Sequence, residues 1–238
     1  MLVSLKGQSA LVMGASSGIG RATALLLARE GVQVMAAARR EERLRSLAAE
    51  APGIAYCRAD AARAEDAERA ASAALERSGK IDILVYATGT NTPDRSMRRL
   101  TTSLWETTVG INLNGAYYAT RAVLPGMRAA GAGYLIYISS ISAMVPDVSG
   151  AAYQAAKRGL AGLAHAVRME EKENGIRTSV ICPGLVDTEM LNLRPVKTPE
   201  EVVAKAMQPE DVAEVVLAMV RLHPRVVIPE MQVMPTYL

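Results

Sequence analysis

Short apolar segments alternate with longer segments of helical periodicity along the whole chain. The apolar segments are continuous rather than alternating with polar residues, which is typical of strands buried on both faces. They occupy residues 9–13, 32–36, 54–57, 82–86, 134–138, 178–182 and 225–228. Helices are predicted over 18–30, 63–78, 102–130, 151–174 and 199–207. This alternation predicts an α/β fold in which helices cover both faces of a doubly wound parallel sheet of about seven strands.

The same pattern predicts one domain over residues 1–238, because no linker, shift of composition or internal repeat interrupts it. A chain of this length buries roughly 70–75% of its unfolded surface, so it needs neither disulfides nor a metal for stability. Open sheets of this kind bind ligands at the carboxyl ends of their strands. Candidate functional residues are therefore those that directly follow each apolar segment.

The composition of the chain excludes several classes of binding partner. There are 27 basic and 24 acidic residues, no phenylalanine and one tryptophan, and acidic residues interrupt the densest basic stretch at 39–45. Nucleic-acid binders usually combine a basic face with aromatic stacking, so we expect no nucleic-acid partner. No segment approaches the ~18 apolar residues of a membrane span, and residues 1–8 lack a signal-like pattern, so we expect a cytoplasmic protein without membrane contact. Cys57 and Cys182 predict no disulfide framework, and no cluster has metal-ligand spacing.

A glycine-rich loop follows the first predicted strand and leads directly into the first predicted helix. It reads Gly14-Ala15-Ser16-Ser17-Gly18-Ile19-Gly20. The first glycine permits a tight turn, the second lets the backbone approach a phosphate, and the third allows close packing of helix on strand. Amides at the helix start favour a pyrophosphate, although an ordinary strand-to-helix turn would also explain the glycines.

The end of the second predicted strand bears on which dinucleotide binds. An acid there would bind the ribose 2′-hydroxyl of NAD, whereas arginine suits a 2′-phosphate. This chain has Ala38 at that position, followed by Arg39 and Arg40. The sequence therefore favours NADP(H), with Arg39 on the phosphate and NAD(H) as the other possibility. The alternative is that both arginines are simply solvated.

A tyrosine and a lysine four residues apart, Tyr153 and Lys157, share one face of the predicted helix 151–174. An adjacent ammonium favours the phenolate, so we expect it to lower the pKa of the tyrosine and give a general acid or base. An unrelated surface pair is the alternative. Ser140 follows the fifth strand, and Asn112 stands within a predicted helix, where asparagine is a poor helix former.

Taken together, these motifs resemble the short-chain dehydrogenases/reductases, in their single-domain branch, over nearly the whole chain. Three further segments support the resemblance: 111–115, with Asn112 rather than Asn114 in the functional place; 182–188, a Pro-Gly segment; and Asp60 after the third strand. The resemblance implies a Rossmann-type fold that binds NAD(P). The cofactor-binding residues it implies are Gly14, Ser16, Ser17, Gly18, Ile19, Gly20, Arg39, Arg40, Asp60, Ala61, Ala87, Gly89, Tyr153, Lys157, Pro183, Gly184, Val186 and Thr188.

The resemblance also implies an oxidoreductase acting on CH–OH groups. Ser140 would hold the substrate oxygen and Tyr153 would give it a proton. Lys157 would bind the nicotinamide ribose, and Asn112 would anchor a water linked to the lysine. The substrate is expected to be a small carbonyl compound or alcohol, with ketoacyl, hydroxy-acid and xenobiotic ketone substrates all open.

Some features of the chain depart from the family pattern. The segment 86–89 reads Tyr-Ala-Thr-Gly where Asn-Asn-Ala-Gly is usual, and residues 226–238 lack a glycine-rich tail. Residues 189–200, here called the flap, are expected to be mobile and to cover the substrate with Met190, Leu191 and Leu193. By the same resemblance, helices 102–130 and 151–174 are expected to pair across a two-fold axis, giving a homodimer or homotetramer. A silent dinucleotide-binding regulator and a nucleotide-sugar epimerase or dehydratase stand as alternatives.

Overall fold

The protein is described by a computed structural model that covers residues 2–237. Within that part of the chain, seven strands form one parallel sheet. The strands are β1 (Ser9–Met13), β2 (Gln33–Ala38), β3 (Ile54–Arg58), β4 (Ile83–Tyr86), β5 (Gly133–Ile138), β6 (Ile176–Pro183) and β7 (Glu230–Val233). The α-helices are α1 (Gly18–Arg29), α2 (Glu41–Glu50), α3 (Ala64–Ser78), α4 (Thr102–Val109), α5 (Gly115–Ala130), α6 (Ala151–Glu171), α7 (Glu200–Val203) and α8 (Pro209–Val220).

The predicted fold class is confirmed, and the strands show why it forms. Along β1, Ala10 and Val12 pack into one hydrophobic core while Leu11 and Met13 pack into the other. Both faces of the sheet are therefore apolar and both need a cover of helices. Helices α1, α2 and α8 cover one face, and α3, α5 and α6 cover the other. No helix among residues 2–237 has the length and apolar character needed to cross a membrane.

The strand order β3-β2-β1-β4-β5-β6-β7 determines where a ligand binds. From β1 the chain first builds outward through β2 and β3, then returns to add β4 on the other side of β1. The connections above β1 and β4 thus run in opposite directions and leave a crevice at their carboxyl ends. The glycine loop after β1 lies at this crevice.

The seventh strand is predicted at residues 225–228, and that prediction is wrong. The strand is Glu230–Val233, paired with β6 from Val180 to Pro183. Pro229 separates the apolar run from the strand, and Val180 N–H donates to its carbonyl at 2.9 Å. The real strand is partly exposed because it forms the sheet edge, and it alternates Glu230 and Gln232 with Met231 and Val233, so it lacks the continuous apolar run of a central strand.

Two predicted helices differ from the structure. Segment 102–130 is interrupted by a π-turn, Gly110–Asn114, between α4 and α5. Segment 199–207 contains only the four-residue α7. The structure also contains α2 and α8, which the sequence pattern did not predict.

Candidate active site

A cavity of about 480 Å³ opens at the carboxyl ends of the central strands. Except for Gly20, every predicted cofactor-binding residue lines it, and so does Ser140. Gly20 and Asn112 lie behind the cavity wall, both of them buried. The structure therefore gathers the predicted residues at one site, with these two supporting it from behind.

The glycine loop is packed too closely for side chains. Gly14 has φ +87°, and a Cβ there would stand 2.7 Å from the backbone nitrogen of Thr88. A Cβ at Gly20 would collide with the carbonyl oxygen of Gly14. These contacts hold the loop against the segment after β4 and present the first amides of α1 to the cavity, as an anion site requires.

Exposed arginines line the end of the cavity that lies beyond β2. This end is here called the adenosine end, because the sequence predicts that the adenosine ribose of the cofactor binds there. Ala38 ends β2, so no acid stands at that position, and Arg39 and Arg40 follow. Arg40 donates from Nε and Nη2 to Ser16 Oγ, at 3.2 and 3.0 Å, and from Nη2 to Ser17 Oγ at 2.5 Å. Arg40 thus lies directly on the glycine loop, whereas the sequence-based expectation assigns the phosphate to Arg39.

Sequence reasoning missed Glu189, the first residue of the flap. Its carboxylate accepts from Arg40 Nη1 at 2.7 Å and also from Arg43 Nη1. The two arginines hold the pKa of Glu189 below its usual value. The partners are about 150 residues apart in the chain, so only the fold brings them together.

The opposite end of the cavity contains Tyr153 and Lys157 on α6 beside Ser140. It is here called the catalytic end, after the roles that the sequence predicts for these three residues. Lys157 Nζ donates to the carbonyl oxygen of Ile138 at 3.0 Å and lies 5.6 Å from the centroid of the Tyr153 ring. A Cβ at Gly89 would be 3.5 Å from Lys157 Nζ and 3.2 Å from Asn112 Oδ1. The four predicted catalytic residues and Gly89 therefore converge.

The expected lowering of the tyrosine pKa is not what the structure gives. Burial raises the pKa of Tyr153 to about 12, and the neighbouring Ser140 hydroxyl opposes only part of that rise. Burial also lowers the pKa of Lys157 to about 8. The charge of Lys157 does not produce the expected lowering of the tyrosine pKa, because the ammonium bonds to the Ile138 carbonyl rather than to the phenol oxygen.

Asn112 is fully buried in the π-turn, a feature that often marks functional sites. Its Nδ2 donates to the carbonyls of Thr90 and Thr108, each at 2.8 Å, and its Oδ1 accepts from Thr90 N–H at 3.3 Å. The side chain thus ties the π-turn to the segment after β4. An asparagine that is unfavourable in a helix is explained by these three bonds.

The departure at residues 86–89 has a structural counterpart. Tyr86 is fully buried, and its hydroxyl donates to the carbonyl of Ile111, inside the same π-turn. A Cβ at Gly115 would collide with the Tyr86 hydroxyl oxygen, so the glycine after the turn makes room for the tyrosine. The tyrosine thereby anchors the turn that carries Asn112.

The flap reaches into the catalytic end. Met190 Sδ is 3.9 Å from the Tyr153 hydroxyl oxygen, and its Cε would be 3.2 Å from a Cβ at Gly89. Leu191 and Leu193 also line the cavity, as predicted. Two arginines that the sequence did not single out, Arg95 and Arg194, line the same end. Their positions come from two loops whose meeting the sequence does not reveal.

Comparison with known proteins identifies the family. The family model for short chain dehydrogenases matches residues 8–198. The chain belongs to this family of oxidoreductases. An acetoacetyl-CoA reductase from Allochromatium vinosum is 36% identical over 187 residues, 76% of each chain. The resemblance to this family that the sequence motifs indicate is confirmed.

Solved structures agree. The closed form of serine dehydrogenase complexed with NADP⁺ has a TM-score of 0.87 and 30% identity, covering 95% of this short-chain dehydrogenase and 94% of that chain. A single-residue variant of actinorhodin polyketide ketoreductase with NADPH has a TM-score of 0.89 and 29% identity, covering 99% and 98%. The similarity thus extends well beyond the residues that the family model matches.

Proposed function

We propose that this short-chain dehydrogenase is an NADP(H)-dependent oxidoreductase that interconverts a carbonyl group and a secondary alcohol of a small molecule. The observation that carries the proposal is the convergence of Ser140, Tyr153 and Lys157 at one end of a cleft whose other end is a glycine loop. A phenol, a hydroxyl and an ammonium that lie together at one end of a cleft are suited to proton transfer to a carbonyl oxygen.

The preference for NADP(H) is supported by the adenosine end. Ala38 stands at the end of β2, where an acid would bind a ribose 2′-hydroxyl, and Arg39 and Arg40 line the cavity there. Gly14 and Gly18, both with positive φ, leave the loop open to a pyrophosphate. Structural neighbours that carry NADP⁺ or NADPH agree with this choice.

Each side chain has a distinct task in the proposed reaction. When bound, the cofactor supplies the hydride. Ser140 holds the carbonyl oxygen of the substrate, and Tyr153 donates the proton that this oxygen takes up. Lys157 binds the nicotinamide ribose with its ammonium. Lys157 then returns a proton to the Tyr153 phenolate and is itself reprotonated by a water that Asn112 holds.

The direct test follows oxidation of NADPH and, in parallel, NADH over a panel of ketones, ketoacyl thioesters and sugars. We expect turnover with NADPH that falls by about 10²–10⁴-fold in Tyr153→Phe. Tyr237→Phe removes the same hydroxyl from an exposed site and should retain full activity. Tight dinucleotide binding without turnover would favour the regulator alternative, and a preference for NADH would overturn the cofactor assignment.

We also propose that the protein assembles as a homodimer or homotetramer through α4, α5 and α6. These helices expose Trp105, Tyr117 and Met169, large apolar side chains that a partner copy would cover. Sedimentation equilibrium should give two or four protomers. A monomer at micromolar concentration would contradict the proposal.

A further inference from the structure

Arg95 is locked in place in front of the catalytic helix. It lies half-buried in the loop after β4, where its Nε donates to the Thr92 carbonyl at 3.0 Å and its Nη2 donates to the Leu193 carbonyl of the flap. Gly150, with φ +91° just before α6, packs so closely that a Cβ there would be 2.6 Å from Arg95 Cβ. The carbonyls of Thr92 and Leu193 therefore fix the direction of this guanidinium, and the close approach of Gly150 confines the start of the side chain, so Arg95 is preorganised rather than a mobile surface arginine.

The guanidinium keeps an unused edge. No hydrogen bond among residues 2–237 uses Nη1 of Arg95, and Nη2 uses one of its two N–H groups. Nη1 and Nη2 together form the outer end of the guanidinium, and this pair of nitrogens can donate one hydrogen bond to each oxygen of a carboxylate. Because Arg95 and Tyr153 line the same end of the cavity, this edge is available to a molecule bound beside the phenol.

Arg95 lies close to a second positive charge, that of Arg194. Arg194 follows the flap residue that accepts from Arg95 and lines the same cavity. Burial lowers the pKa of Arg95, and the positive charge of Arg194 lowers it further. In the described part of the chain neither arginine forms an ion pair. The cavity therefore holds two cationic groups whose repulsion a bound anion would relieve.

Asp147 is a carboxylate at this end of the cavity, and its oxygens are already occupied. Oδ1 accepts from Ser149 N–H at 2.8 Å, and Oδ2 accepts from Ser149 Oγ at 3.0 Å and from Ser142 Oγ. Its charge reaches both Arg95 and Tyr153, but its hydrogen bonds go to the serines. It therefore leaves the outer end of the Arg95 guanidinium open.

We infer that Arg95, assisted by Arg194, binds a carboxylate of the substrate, so that the substrates are small oxo acids and the corresponding hydroxy acids. This inference rests on the proposed function, because it concerns the carbonyl compound that Tyr153 protonates. The molecule is small because the same cavity, from the arginines after β2 to Arg194, must also hold the dinucleotide. Arg95 orients the acid by its carboxylate and thereby presents the carbonyl to Ser140 and Tyr153.

The test compares acids with their methyl esters, which keep the carbonyl and lose the charge. Binding of 2-oxo and 3-oxo acids of about three to five carbons, of their esters and of dihydroxyacetone phosphate is measured by calorimetry on wild type saturated with NADP⁺, where no reduction occurs. We expect at least one acid to bind about tenfold or more tightly than its ester, as expected for hydrogen bonds to a charged group.

Variants distinguish binding of the substrate carboxylate by Arg95 from mere support of the flap by Arg95. Arg95→Gln should weaken binding of the acid about tenfold or more and leave its ester unchanged, and Arg194→Gln should weaken the acid less because Arg194 is exposed. Arg98→Gln, an exposed arginine of the same loop outside the cavity, should change neither. Equal loss for acid and ester in Arg95→Gln would mean that Arg95 only supports the flap, and would overturn the inference.

Other outcomes are equally decisive. Esters or thioesters that bind as tightly as the acids would overturn the inference while leaving carbonyl reduction intact. Binding of only the phosphorylated ketone would overturn the choice of a carboxylate. If no compound turns over with NADPH, the proposed function fails, yet the calorimetric preference for acid over ester still decides whether the arginines bind a carboxylate.

Discussion

The two ends of the cleft are built in opposite ways. At the catalytic end, Asn112 and Lys157 have only 0% and 3% of their surface exposed, and both bond to backbone carbonyls. At the adenosine end, the Arg40 and Arg43 side chains are 43% and 46% exposed and bond to the carboxylate of Glu189. Asn112 and Lys157 are therefore held by the fold itself, whereas we expect the exposed arginines to exchange one anion for another.

This difference has an energetic consequence. A buried polar group that loses its partner costs about 1–3 kcal/mol, whereas an exposed ion pair contributes about 0.2–1 kcal/mol. Substitutions at the catalytic end should therefore change both stability and activity. Substitutions at the adenosine end should change cofactor affinity and leave folding nearly unaffected.

The largest effect is expected for Lys157→Met. Activity should fall about 10²-fold or more, because the variant loses the ammonium that we propose binds the nicotinamide ribose and returns a proton to Tyr153. Stability should rise by about 2 kcal/mol at pH 7, since the folded state no longer buries a charge. Urea unfolding of both proteins measures the second effect.

The pH dependence gives the sign of that effect. The pKa of Lys157 is about 8 when folded and 10.5 ordinarily, so below pH 8 both states carry the proton and the folded protein bears the cost. Between about pH 8 and pH 10 the unfolded chain binds more protons, so wild-type stability rises with pH relative to the variant. Lys172→Met, at an exposed lysine, should show neither change. A wild type more stable than Lys157→Met at pH 7 would contradict the account.

An effect on stability of comparable size and opposite sign is expected for Asn112→Ala. The variant leaves backbone groups of Thr90 and Thr108 without their partner, so the free energy of unfolding should fall by roughly 2–3 kcal/mol. Asn114→Ala is the matched control, because Asn114 lies in the same π-turn and is exposed, so it should stay within about 0.5 kcal/mol. Equal losses in the two variants, measured by denaturant midpoints at unchanged slope, would mean that the turn does not depend on Asn112.

The contrast between the ends also explains how far the sequence could predict the molecule. Tyr153, Lys157 and the glycine loop lie on local motifs within one helix or one turn, so spacing along the chain is enough to predict them. Glu189, Arg95 and Arg194 lie on loops, and their roles depend on contacts across roughly 100 residues or more of sequence. The π-turn is not predicted, although it contains Gly110, Asn112 and Asn114, because poor helix formers do not by themselves specify a wider turn. The strand β7 is not predicted because an edge strand lacks a continuous apolar run.

The smallest effect is expected for Glu189→Gln, which tests whether the adenosine end exchanges anions. The carboxylate of Glu189 occupies Arg40 and Arg43, and Arg40 is one of the two arginines that we propose bind a 2′-phosphate. Removing it should lower the KM for NADPH about three- to fivefold, the equivalent of about 1 kcal/mol, and leave the KM for NADH unchanged. Glu42→Gln, at an exposed carboxylate on the same side of the molecule, should have no effect.

Two further measurements separate competition from flap closure. Arg40→Gln should act in the opposite direction and raise the KM for NADPH, because the phosphate then loses a charged donor. The benefit of Glu189→Gln should shrink in about 1 M salt, where the screening length is about 3 Å. If Glu189→Gln instead raises the KM for NADPH and NADH equally, the ion pairs hold the flap over the whole dinucleotide and do not compete for the phosphate. The adenosine end would then be held by its own contacts as firmly as the catalytic end.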